Sequence, residues 1–194
     1  MKDISRIMNE YGQAFEQING TYKQAESYIN ANYVKGSSIY ESTLSSALDT
    51  RRQALTPLMD KSKSAIKESL TKARNKVQKA ILTQPTPEMM SMIELVKTGK
   101  FNDTEKAMMM DSVKGNYIAS KLMAEATGTQ FSTPVESILD ALDNIEQITS
   151  QHWSYEGVPS NSYNSRMLMH ESGYLNQVDG EINEFLSAYG SAEE

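Results

Sequence analysis

The stretch LSSALDTRRQALTPLMDKSKSAIKESLTKARNKVQKAI, residues 44–81, decides the fold. Its apolar residues fall in four pairs spaced by eleven: Leu44/Leu48, Leu55/Met59, Ile66/Leu70 and Val77/Ile81. An eleven-residue repeat corresponds to about 3.67 residues per turn, so the stripe runs nearly straight along an α-helix with a slight right-handed drift. A helix built this way must lay its seam against other helices. Pro57 stands inside the stripe. The apolar phase is unbroken from Leu48 through Leu55 to Met59, which favours a kinked continuous helix over a new helix capped by Thr56.

Upstream, residues 3–33 repeat in sevens. Ile4, Tyr11, Ile18 and Ala25 share one heptad position, Ile7, Ala14 and Tyr28 another, and Met8, Phe15, Tyr22 and Ile29 a third. This wide stripe predicts an amphipathic helix with more than one neighbour. Gly36 suits a left-handed turn, and Ser38-x-x-Glu41 reads as a capping box opening the long helix. At about 1.5 Å per residue, helix one spans roughly 45 Å and helix two roughly 65 Å. An antiparallel hairpin therefore leaves Ile66, Leu70, Val77 and Ile81 to be covered by the C-terminal helices or by a second subunit.

Downstream, Gln84-Pro85-Thr86-Pro87 ends the long helix and marks the clearest internal boundary. Thr86 caps a short helix that stops near Gly99. Asn102-x-x-Glu105 caps another, read as running to about Ala126. Thr133-Pro134-Val135-Glu136 opens a third, with Pro134 at its first position, carrying Val135, Ile138, Leu142 and Ile145 to near His152. A loop over 153–164 precedes a last helix bearing Leu175, Val178, Ile182 and Phe185. No segment alternates with period two. The expected fold is all-α: a long N-terminal antiparallel helical hairpin, coiled-coil-like, over residues 1–84, then a small bundle of shorter helices with acidic C-terminal helices over 85–194.

Charge is unevenly placed. Residues 51–82 hold nine Lys/Arg against two acids, a local +7, while residues 134–194 hold eleven acids against Arg166 alone, a local −10. Arg52, Lys63 and Arg74 recur at eleven, a basic line beside the apolar seam. Long basic side chains commonly lie along a seam with their heads in water. The same line suits an acidic partner helix or a phosphate backbone. The acidic final third and the net charge of −6 favour docking on protein over nucleic acid, and no aromatic residue interleaves with the bases of 51–82 to stack on single strands.

Little chemistry is on offer. The 194 residues contain no cysteine and two histidines, His152 and His170, which removes disulfides and thiolate metal sites. Fragments of the serine β-lactamase motifs occur at Ser64-x-x-Lys67, Lys97-Thr98-Gly99 and Ser162-x-Asn164. They stand in the wrong order for that set and lack its mixed α/β setting. Glu136, Asp140 and Asp143 share one helix face, a pattern seen in cation sites and more often on solvated faces. Met89, Met90, Met92, Met108, Met109 and Met110 form a cluster suited to filling an irregular core or to an adaptable groove. The N-terminal sequence turns polar at once and no long apolar run follows, so a soluble, cytoplasmic product is expected.

A long charged helical part is followed by Thr86-Pro87-Glu88-Met89-Met90-Ser91-Met92-Ile93-Glu94-Leu95-Val96-Lys97, then Asn102-Asp103-Thr104-Glu105-Lys106 and Asn116-Tyr117-Ile118-Ala119-Ser120-Lys121-Leu122. This order resembles small helical proteins encoded near the head-morphogenesis genes of tailed phages of Gram-positive bacteria. The resemblance implies a helix-rich arm joined to a small bundle, located in the host cytoplasm or the virion. It transfers no functional residue.

The expected function is that of a non-enzymatic, elongated helical protein in phage-particle assembly. It would associate with itself or another protein through the seam Leu44, Leu48, Leu55, Met59, Ile66, Leu70, Val77 and Ile81, oriented by Arg52, Lys63 and Arg74. The alternatives are a phage-encoded module that captures a host protein and, after it, nucleic-acid binding through 51–82. No cofactor, metal, membrane or small-molecule substrate is expected.

Overall fold

The computed structural model describes residues 2–152 and 163–190, with side chains left undescribed at 2, 151–152 and 163–172. Among the described residues there are seven α-helices and no strand, so the fold is all-α. They are α1 (Lys2–Asn32), α2 (Ser38–Leu82), α3 (Pro87–Thr98), α4 (Asp103–Ser112), α5 (Tyr117–Thr127), α6 (Val135–His152) and α7 (Tyr163–Tyr189). Of the loop expected over 153–164, residues 153–162 lie outside the described residues, and 163 and 164 already belong to α7.

The long second helix forms as one piece of 45 residues with Pro57 inside it. Thr56 donates its hydroxyl to the Arg52 carbonyl one turn back, a mid-helix bond incompatible with an N-cap. The start of α2 differs by one residue from the expected box. Ser37, rather than Ser38, accepts the Tyr40 N–H at 3.2 Å and its carbonyl receives the Glu41 N–H. Gly36 takes the left-handed conformation that the α1–α2 turn requires, with φ 83°.

The helix read as running from Asn102 to Ala126 is in fact two. Gly115 adopts φ 91° and Asn116 caps a new start, so α4 ends at Ser112 and α5 begins at Tyr117. The apolar phase carried across the break and concealed it. Asn102 and Glu105 form the expected reciprocal box, at 2.9 and 2.8 Å, and Thr86 caps α3. At α6, Pro134 sits at the cap, since its carbonyl accepts the Ile138 N–H and the helix starts at Val135.

The chain divides into two compact units, and the division does not follow the 84/85 boundary read from the prolines. The first comprises Met1–Ser69 and Ile145–Leu175, the second Leu70–Asn144 and Asn176–Glu194. Helices α2, α6 and α7 each contribute to both. The physical reason lies in the seam: residues after Ser69 still present Leu70 and Val77, which must be buried with other helices wherever the prolines fall.

In the first unit, α1 and the first part of α2 run antiparallel. Tyr40 Oη donates to Asn30 Oδ1 at 2.9 Å near the turn, and Arg51 lies over the Tyr22 ring further along. Ile4, Met8 and Ile29 are buried from α1, Leu55, Met59 and Ile66 from α2, and Ile145 and Leu175 from the later segments. In the second unit, one core joins Ile93, Val96, Val113, Ala119 and Met123. Also buried in this unit are Leu70, Val77, Ile138, Leu142, Val178 and Phe185. Tyr117, Phe131, Phe185 and Tyr189 meet edge-to-face or tilted, with centroids 5.2–6.4 Å apart.

Candidate functional site

The structure places the seam inside the chain. Leu55, Met59, Ile66, Leu70 and Val77 are buried, Ile66 and Leu70 at 1% exposure and Val77 at 0%. The cover that these residues need comes from the chain's own segments, so a second subunit is not required to bury them. The seam's ends differ. Leu44 and Ile81 are half-buried and Leu48 is 43% exposed.

The basic line is split in the same way. Arg74 donates to the Asp143 carboxylate within the second unit, joining one residue of the basic line to one of the acidic row. Lys63 is half-buried beside the seam, and Arg52 is exposed. Asp143 is thus engaged in an ion pair, while Glu136 and Asp140 are exposed. Among the described residues no group of three or more acids or histidines converges as a metal site, and no helix is long and apolar enough to cross a membrane. Trp153 lies outside the described residues, as do the side chains of His152 and His170.

The methionine cluster serves the second unit's core and also reaches its surface. Met89, Met92, Met109 and Met110 pack half-buried against Ile93, Val96 and Val113. Met108 and Met90 turn outward at 67% and 36% exposure, with Leu95 at 51%. Two short helices cannot enclose so many long side chains, and the thioethers fill whatever irregular space is left.

Two positions escaped the sequence reading as more than caps or counted charges. Asn116, 5% exposed, caps α5 by accepting the Ala119 N–H at 2.9 Å, and its amide donates to the Thr83 and Gln84 carbonyls at 3.1 Å each. One side chain therefore starts α5 and satisfies carbonyls that follow the end of α2. The N-Y-x-A order signals the cap; nothing in it signals the long-range bonds.

The second position is Arg51. Its guanidinium carbon sits 5.3 Å from the centroid of the Tyr22 ring, and its Nε and Nη2 are buried without a hydrogen-bond partner. It borders a cleft of about 270 Å³ between α1 and α2. Burial pushes the Tyr22 phenol up from its ordinary pKa, with Glu26 adding to the shift and the Arg51 charge opposing it. At Tyr11, burial raises the phenol and Arg51 again opposes. A signal was present in retrospect: Ile18, Tyr22 and Ala25 on α1 and Ala47, Arg51 and Ala54 on α2 share one i, i+4, i+7 spacing. Only the pairing of the two rows gives that spacing meaning.

No protein-family model matches the chain, nor does any curated protein or solved structure.

Proposed function

We propose that this protein is a non-enzymatic helical assembly protein that associates with itself, or with another protein, through the tip of its α1–α2 hairpin. The observation that carries the reading is the exposed apolar surface there: Val34 at 78%, Tyr28 at 62%, Ile39 at 59% and Leu48 at 43%. Between Glu26 and Asp49 the only charged residues are Lys35 and Glu41, so these exposed apolar side chains stand in a segment nearly free of charge. Depletion of charge around exposed apolar side chains marks association surfaces. Of the seam, Leu44 and Leu48 belong to this surface, and Leu55, Met59 and Ile66 are buried in the same unit and support it by holding the hairpin. The resemblance of the 86–122 segment to proteins encoded near phage head genes supports particle assembly, in the host cytoplasm or the virion, as the setting.

The test is mass in solution by light scattering across a concentration series. The expected result is a self-associating wild type, and a Val34→Asp/Ile39→Asp variant that falls to the 21.7 kDa chain mass with helicity unchanged. A monomeric wild type at every concentration, or a variant of unaltered mass, counts against self-association through the tip.

A second reading, capture of a host protein, is favoured by the outward-facing Met108, Met90 and Leu95 of the second unit. It expects a monomer whose capture of one host protein is lost in Leu95→Lys/Met108→Lys. Retention of capture in that variant contradicts it.

A further inference from the structure

We propose that Met109 and Met110 form a site of reversible oxidation by a hydroperoxide, whose conversion to methionine sulfoxide releases α4 from the second unit. Helix α4, described throughout, has no fully buried residue. Of its ten residues only Lys106, Met109 and Met110 are even half-buried. Met109 and Met110 are also its only members packed against the core of Ile93, Val96, Val113, Ala119 and Met123. Two thioethers therefore supply the apolar hold on a whole helix. The remaining links are at its ends. The Asn102–Glu105 box opens it, and just beyond it the carbonyl of buried Val113 accepts the Ser120 hydroxyl at 3.2 Å. Ten residues are too few for a helix that is stable alone in water, so α4 persists only while it is docked.

The chemistry needs nothing beyond the oxidant. The sulfur lone pair attacks the terminal oxygen of the hydroperoxide, and an S–O bond forms as the O–O bond breaks. The hydroxide or alkoxide that leaves takes the proton from the transferred oxygen and ends as water or an alcohol. Sulfur is oxidised by two electrons and the peroxide is reduced by two. A polar sulfoxide then stands where an apolar chain packed. Holding it against Ile93, Val96 and Val113 without a hydrogen-bond donor is unfavourable, and release of α4 returns it to water. Exposure grades the cluster. Met108 at 67% and Met90 at 36% face outward, and their oxidation leaves the docking intact, while Met123 at 0% is shielded. Met109 and Met110 lie between these limits, partly open and also structural. The chain holds no cysteine, so no thiol of its own intercepts the oxidant first.

The test treats the full-length protein with hydrogen peroxide, locates sulfoxides by peptide mass mapping and follows amide hydrogen exchange. Sulfoxides at Met109 and Met110 are expected, with α4 amides exchanging about tenfold faster and those of α2 unchanged. The methionine sulfoxide reductases for the two epimers should restore the protection. Met109→Leu/Met110→Leu keeps the apolar anchors without sulfur and should hold α4 under peroxide, whereas Met108→Leu should behave as the wild type. Met109→Gln/Met110→Gln should release α4 with no oxidant present. The proposal is overturned by absence of sulfoxide at either position in the folded protein, or by unchanged α4 exchange when both are oxidised. Release that persists in the Leu variant, or protection that the reductases fail to restore, also overturns it. So does equal acceleration in α2, because that reports general unfolding. Mapping and exchange on the unaltered protein decide the matter even where a variant fails to fold, and neither readout depends on association through the tip.

Discussion

Asn116 shows how much one side chain can hold. Replacing it with Ala removes the α5 cap and leaves two carbonyls near the end of α2 without their donor, an expected loss of about 3 kcal/mol in chemical denaturation. Asn116→Asp keeps the acceptor for Ala119 but turns a carboxylate oxygen toward the Thr83 and Gln84 carbonyls. Its destabilisation should ease as pH falls and the carboxyl regains a proton. Tyrosines set the opposite limit of the pH range. Burial raises the Tyr11 and Tyr189 phenols, and for Tyr189 the neighbouring Tyr117 adds to it. A raised folded-state pKa leaves stability intact below the unfolded phenol value, about 10, and removes it as pH rises above that. Urea midpoints should therefore fall above about pH 10, and less steeply in Tyr11→Phe; an identical slope in that variant contradicts the assignment. The caps at Thr86 and Asn102 were legible from local order alone, because a cap depends on residues three apart. The Asn116 amide bonds were not, since they span more than thirty residues.

Among elements, α2 is the most informative. Its eleven-residue stripe predicted a single long helix, and the helix runs unbroken from Ser38 to Leu82. Periodicity does not say which members of a stripe are covered. Leu70→Ala should cost about 3 kcal/mol, since it opens a cavity at a site 1% exposed. Leu48→Ala should change stability by less than about 0.5 kcal/mol, since that side chain is 43% exposed. Equal costs at the two positions, measured by thermal or chemical unfolding, would refute the division of the seam into core and tip. The same blindness hid the break between α4 and α5. A turn of three or four residues keeps the apolar phase of a helix, so only Gly115 and the capping Asn116 betray it.

For the molecule as a whole, the proposed tip association rests on apolar side chains in a segment with two charges. Its strength should hold or rise as salt increases, because there is little for ions to screen. An assembly that dissociates steeply in salt would point to the basic line instead. Charge separation along the chain was visible in the sequence, and the structure converts part of it into the Arg74–Asp143 pair inside the second unit. Sequence by itself determined the all-α class, the long helix, most caps and the lack of cysteine. The first three depend on spacings of three to eleven residues, which a linear pattern records directly. Tertiary structure alone decided that the seam is buried by this chain's own segments, that the compact units cut through α2, α6 and α7, and that Arg51 borders a cleft with two donors unmet. Each of these depends on which distant faces meet, and burial and hydrogen-bond satisfaction are properties of that meeting rather than of any residue's place in the chain.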